Sequence, residues 1–209
     1  MQTSEGSSPI EFWENRYRTA DVEAVSWYEP VPHLSLALLE LGGSQSNDSV
    51  IDIGGGASFL AQSLSDRGYS DVTVLDASNE ALEIAKSRWV KSSAVEWMTT
   101  DLLTWEPQRH WDIWHDRAVF HFLTSVAERE TYRATLRDAV REDGIVAIAT
   151  FASDGPQQCS GVDVSRYSPE ELHAELGPGF QMIAVGRYLH HTPSGAVQPF
   201  SWVVAQRSS

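Results

Sequence analysis

Lysine is almost absent from this chain. Lys86 and Lys91 are its only two in 209 residues, and 15 Lys plus Arg stand against 29 Asp plus Glu, for a formal charge of −14. No basic stripe exists to neutralise phosphates, which excludes nucleic acid as the main partner. An acidic field favours a cationic ligand or a small neutral one, and also serves simply as a solvated surface that keeps a protein dispersed. Cysteine is scarce too: Cys159 stands alone and cannot close an internal disulfide, which fits a reducing compartment and leads us to expect the cytoplasm. No apolar run approaches the roughly 18 to 20 residues that a membrane span needs, and Met1 to Pro9 is polar without a cationic start. No membrane partner is therefore expected. With 42% hydrophobic and 21% charged residues the composition is that of a folded chain, and the length suits one domain.

Hydrophobic segments alternate between two periods along almost the whole chain. Val50-Ile51-Asp52-Ile53 reads as a strand, and Phe59 to Leu64 as the start of a helix ending near Gly68. Val72 to Leu75 is a second strand, and Ser78 caps a helix from Asn79 to about Trp89. Val95 to Met98 and Asp112 to Trp114 follow as strands, and Ser125 with Glu128 forms a capping box for a helix closing before Gly144. Ile145 to Phe151, apolar on both faces, reads as a buried central strand. Ser168-Pro169-Glu170-Glu171 opens another helix, and Met182 to Leu189 and Phe200 to Ala205 then form an antiparallel pair. The pattern predicts a three-layer, doubly wound α/β fold: seven strands, mostly parallel, with an antiparallel last strand and ligands at the carboxyl ends of the strands. Residues 1–48 precede the first strand as a helical, aromatic-rich segment, and 49–209 form the core.

Asp52-Ile53-Gly54-Gly55-Gly56 sits where a strand meets a helix, the place where glycines let backbone approach a ligand closely. A dinucleotide fingerprint read from Gly54 and Gly56 needs a small residue where Phe59 stands, and a phosphate loop needs a Lys that is missing before position 86. NAD and ATP both fit poorly. Asp76 ends the second strand, placed to accept both hydrogen bonds of a ribose diol, and Asp101 follows the third strand in reach of an exocyclic amine. Their structural alternatives are a turn cap and a loop start.

With these residues the chain resembles the class I S-adenosylmethionine-dependent methyltransferases over about residues 10 to 206. Asp52-Ile53-Gly54-Gly55-Gly56 is similar to the family's acidic-x-Gly-x-Gly signature, Val74-Leu75-Asp76 to its ribose-binding strand end, and Thr100-Asp101-Leu102 to its adenine-flanking segment. The resemblance implies S-adenosylmethionine held by Asp52, Gly54, Gly55, Gly56, Asp76, Ala77, Asp101 and Leu102, with Trp27 against it. Phe12 to Tyr17 and Ser26-Trp27-Tyr28 resemble small single-domain members that methylate thiols, metalloids or protein lysines. No Asn-Pro-Pro-Tyr follows the fourth strand, where His115-Asp116-Arg117-Ala118 stands, which speaks against methylation of nucleic acid bases.

Methyl transfer from a sulfonium needs a nucleophile held in line, and a base only when the acceptor arrives protonated. His115 and His121 are candidates for that base. The structural alternative is an Asp116–Arg117 ion pair with both imidazoles filling polar gaps. Cys159 is a candidate soft ligand or nucleophile, or else a buried inert thiol, and Arg166 is a candidate clamp for an anionic acceptor beside Tyr167. Trp13, Tyr17, Trp27 and Tyr28 are expected to fold as a lid that excludes water and offers π surfaces to the sulfonium, with helix packing as the alternative. His190 and His191, adjacent on a strand, point to opposite faces, so no metal is expected. The expected partner is a small-molecule methyl acceptor. A protein lysine and a non-catalytic cofactor-binding role are the alternatives, and the sequence is silent on oligomeric state.

Overall fold

The computed structural model describes residues 8–88 and 95–208. The first seven residues of the expected lid segment and the expected helix end at Trp89 lie outside the described residues. Strands β1 (Val50–Ile53), β2 (Val72–Asp76), β3 (Val95–Thr99), β4 (Trp111–Arg117) and β5 (Val140–Phe151) pair in parallel. Two further elements, β6 (Gln158–Cys159) and β7 (Val162–Asp163), make a separate small hairpin, and β8 (Phe180–His191) and β9 (Val197–Arg207) close the main sheet. The order is β3-β2-β1-β4-β5-β9-β8, with β9 antiparallel to both neighbours, so the seven-stranded, mostly parallel sheet with one reversed final strand is as the sequence predicts.

The buried runs of β1 and β2 reflect cover on both faces. One face packs against α2 (His33–Leu41), α3 (Leu60–Asp66) and α4 (Asn79–Arg88) through Leu34, Leu38, Leu60, Leu64 and Leu82. The other carries α5 (Val126–Ala139) and α6 (Pro169–Leu176) through Tyr132, Leu136, Leu172 and Leu176. Alternation along a strand sends Ile51 and Ile53 to the second face and leaves Val50 and Asp52 on the first. Both expected capping boxes form, Ser125 with Glu128 and Ser168 with Glu171. A third, Ser8 with Glu11 and Pro9 at the first helical position, starts α1 (Pro9–Thr19).

Two boundaries depart from expectation. Helix α5 ends at Ala139 and β5 begins at Val140 rather than Ile145, because buried, β-branched Val140 pairs with Trp111, and residues 141–144 of β5 are the extra length before Ile145 pairs with Ile113. The segment around Cys159, expected as a loop, contains the β6–β7 hairpin, whose two-residue strands carry no readable period. The carboxyl ends of β1 and β4 lie side by side at the point where chain order reverses, and the cavity opens there.

Candidate active site

A cavity of about 220 Å³ runs along these strand ends. Its first part is built by the glycine loop. Gly54 has φ +62, and a Cβ there would lie 2.1 Å from Val119 Cγ2. At Gly55 a Cβ would lie 2.4 Å from Asp52 Oδ2, so this turn has no room for side chains. Asp76, at the tip of β2, accepts the Ser78 amide at 2.8 Å. Burial pushes its carboxyl up to about 7, against the lowering effect of the Ser78 and Gly56 amides, with Asp52 and Glu14 raising it further. Two amide bonds still leave the carboxylate lone pairs for a diol. Ala77, Asp101 and Leu102 line the same wall. Asp101 also caps its own turn through the Leu103 amide at 2.9 Å, so the ligand-facing and turn-capping readings coexist.

The middle of the cavity holds a buried pair. Asp52 and His115 are partners across β1 and β4, and Asp52 Oδ1 stands 2.7 Å from His115 Nδ1. The second carboxylate oxygen and His115 Nε2 are buried without a hydrogen-bond partner. A carboxylate accepts, so Nδ1 carries a proton directed at Asp52 Oδ1.

The far end is assembled from distant segments. Arg117, two residues along the same face of β4, donates to the Trp27 carbonyl at 3.2 Å and stands 3.3 Å from Glu29 Oε1. Phe200 lies under its guanidinium, 5.3 Å from ring centroid to Cζ. His190 meets Glu29 Oε1 at 2.9 Å and the Ser26 carbonyl at 2.6 Å. Burial alone would raise the Glu29 carboxyl, but the His190 hydrogen bond and the Arg117 charge outweigh it and hold it below its ordinary value. Cys159 lines this end, its thiol pushed up to about 11 by burial.

The N-terminal aromatics cover the cavity. Trp13 makes edge contacts with Trp27 and Phe122 at centroid distances of 6.0 and 5.2 Å, and Trp27 Nε1 donates to the Tyr17 hydroxyl at 3.2 Å. Tyr28 packs edge-on to Phe59 at 6.0 Å. Trp13, Tyr17, Trp27 and Tyr28 all line the cavity. Glu14, on the same helix, accepts the Asn79 and Glu80 amides at 2.8 and 3.1 Å, and so caps α4 from α1.

Not every residue singled out in the sequence reaches the cavity. His121 is fully buried between Phe122 and Phe151, with its imidazole pushed down to about 3 by burial and by the Arg117 charge. It is a neutral core group outside the lining. Arg166 donates to the Gly155 carbonyl at 3.0 Å, and Tyr167 packs on Phe120 in the opposite core, so neither faces an acceptor. Gly56 is buried beneath Tyr17 and Asp76 rather than on the cavity wall. The alternative ion pair also fails: Asp116 and Arg117 point to opposite faces, and Asp116 takes the Tyr132 hydroxyl and the Val119 amide at 2.8 and 2.9 Å. Glu14, Glu29, Arg117 and His190 were missed as a set, and only the buried strand position of Arg117 offered a signal. Among the described residues no group of three or more His, Cys, Asp or Glu is placed to hold a metal.

Known proteins share this fold. The family model described as a methyltransferase domain matches residues 50–144. A SAM-dependent methyltransferase from Anabaena variabilis superposes with a TM-score of 0.78 at 18% identity, covering 97% of this chain and 96% of that one. The N-methyltransferase NodS from Bradyrhizobium japonicum in complex with S-adenosyl-L-homocysteine gives 0.69 at 16%, covering 97% and 100%. The protein solved for conversion of a disulfide bond into a thioacetal group during echinomycin biosynthesis gives 0.75 at 19%, covering 95% and 93%. No curated protein sequence matches the chain. The sheet order and reversed last strand are those of the Rossmann-like methyltransferase fold. Residues 50–144, which take in the glycine loop and both acids, are thus a methyltransferase domain on a fold shared with S-adenosylmethionine-dependent methyltransferases. The residues present fit the cofactor: a turn without space for side chains, an acid at the tip of β2, and a carboxylate oxygen of Asp52 left without a partner. When bound, that group supplies a methyl on a positively charged sulfur.

Proposed function

We propose that this methyltransferase acts on a small-molecule acceptor whose reacting atom is a thiol sulfur, another chalcogen or a metalloid. The enclosure of the cavity carries the reading. Trp13, Tyr17, Trp27, Tyr28 and Phe122 wall about 220 Å³, which suits a compact acceptor better than a polypeptide chain. The neighbour solved for disulfide-to-thioacetal conversion adds a precedent for sulfur chemistry on this fold. His115, held by Asp52, offers a bare Nε2 to a proton leaving the acceptor. The N-terminal segment acts as a lid, its rings excluding water and presenting π surfaces to a cation.

The test uses the cofactor with a labelled methyl group. Purified enzyme is offered thiols, selenols and arsenite, and in parallel a whole lysate. Label in the small-molecule fraction is expected. Label confined to one protein band would favour protein-lysine methylation instead, to which a chain of charge −14 would attract a basic target. Cofactor binding with no transfer to any acceptor class would favour a non-catalytic binder.

A further inference from the structure

The acceptor end of the cavity holds a guanidinium, Arg117, in a chain of formal charge −14. His190 has an oxygen acceptor on each ring nitrogen, Glu29 Oε1 at 2.9 Å and the Ser26 carbonyl at 2.6 Å. Arg117 Nη2 also stands 3.4 Å from His190 Nδ1, so Arg117, Glu29 and His190 form one cluster in which a single carboxylate serves two partners. Arg117 is charged at any working pH. Arg117 Nε is buried without a hydrogen-bond partner, an unused donor on a residue that lines the cavity. The remaining ionisable groups around the guanidinium are Asp52, Cys159 and Tyr188, while His33 faces Glu29. Asp52 is bonded to His115, and burial pushes the Cys159 thiol and the Tyr188 hydroxyl up, so those two stay neutral.

We propose that Arg117, backed by His190, binds the methyl acceptor as a compact soft monoanion, a thiolate or selenolate. This rests on the small-molecule reading above and deepens it. Proton loss to His115 Nε2 makes the anion, and Arg117 stabilises it while water is excluded. The acceptor's lone pair then forms the bond to the methyl carbon, and the carbon–sulfur bond breaks with its electron pair left on sulfur. An anion and a cation become two neutral products, and no other proton moves.

Thiocyanate, a soft monoanion that cannot be turned over as a thiol, is the binding probe. Calorimetry on the complex with S-adenosylhomocysteine should show uptake by the wild type and a loss of about tenfold or more in Arg117→Gln. Affinity for S-adenosylhomocysteine itself should stay within about twofold, and Arg117→Lys should recover most of the thiocyanate affinity. Glu29→Gln keeps the guanidinium and removes its counter-charge, so it should tighten thiocyanate several-fold and carries the test if Arg117→Gln does not fold. No uptake by the wild type, equal uptake by Arg117→Gln, or no tightening in Glu29→Gln overturns the proposal. Uptake that depends on Arg117 without methylation of any thiol or selenol would remove the small-molecule reading and leave the anion site. Thiol methylation without anion uptake would do the reverse.

Discussion

The two ends of the cavity are made in opposite ways. The end shaped by Gly54, Gly55, Asp76 and Asp101 comes from strand tips and the turns that follow them, and is acidic. The other end joins Glu29, Arg117, Cys159 and His190, with Glu29 and His190 bonded across 161 residues, and carries the Arg117 guanidinium. One end suits a positively charged cofactor and the other an electron-rich acceptor, so charge along the cavity runs in the direction of the reaction. Local chain geometry suffices for the first, whereas the second needs four segments to be folded before any of its contacts exist.

The sharpest way to break this division is at the glycine turn. Gly54→Val should abolish measurable binding of S-adenosylhomocysteine by calorimetry, since φ +62 and the 2.1 Å approach of Val119 leave no room for the side chain. A folded variant that still binds would mean that the loop is a turn and nothing more. Removal of residues 1–30 takes away the lid and Glu29 together. Turnover should fall about a hundredfold through lost positioning while a cooperative melt persists. An active truncation would remove the lid from the mechanism.

Asp76→Ala should cost about 1–3 kcal/mol of cofactor affinity, because the ribose hydroxyls lose a charged acceptor. The same residue sets a pH dependence. Its carboxyl is raised to about 7 in the folded, ligand-free protein from an ordinary 3.8, so the folded state favours the protonated form. That contribution to stability is fully present below pH 3.8 and fades as pH rises through about 7. Asp76→Asn should therefore flatten the fall in melting temperature over this window. Cofactor affinity in the wild type should run the other way, weakening as pH drops below 7, because the diol needs the ionised acid. The smallest effect belongs to Glu14→Gln, which weakens a charged cap on α4 and should lower stability by about 1 kcal/mol in a denaturant titration.

How much was legible follows the same division. The glycine turn and Asp76 could be read because tight backbone and an acid at a strand end are consequences of neighbouring residues. His115 lines the cavity, whereas His121, Arg166 and Tyr167, which also follow strand ends in the sequence, do not. Nearness in sequence does not say which face a side chain takes after a 3-10 turn such as Phe120–Phe122, or after the β6–β7 hairpin. Arg117 stood in plain view beside Asp116, but the pairing expected between them is ruled out by strand alternation, and its true partner lies in the loop before α2. Glu14 gave no sign that it would cap a helix 65 residues away.

The amino-acid order alone determined the layered α/β fold, the glycine turn and the acid at the tip of the second strand, because each depends on periods and contacts within a few residues. Tertiary structure alone decided which imidazole is exposed to chemistry and which is core, and where a positive charge survives inside an acidic protein. Those outcomes depend on burial and on partners brought from far along the chain, and no local pattern encodes a partner that only folding supplies.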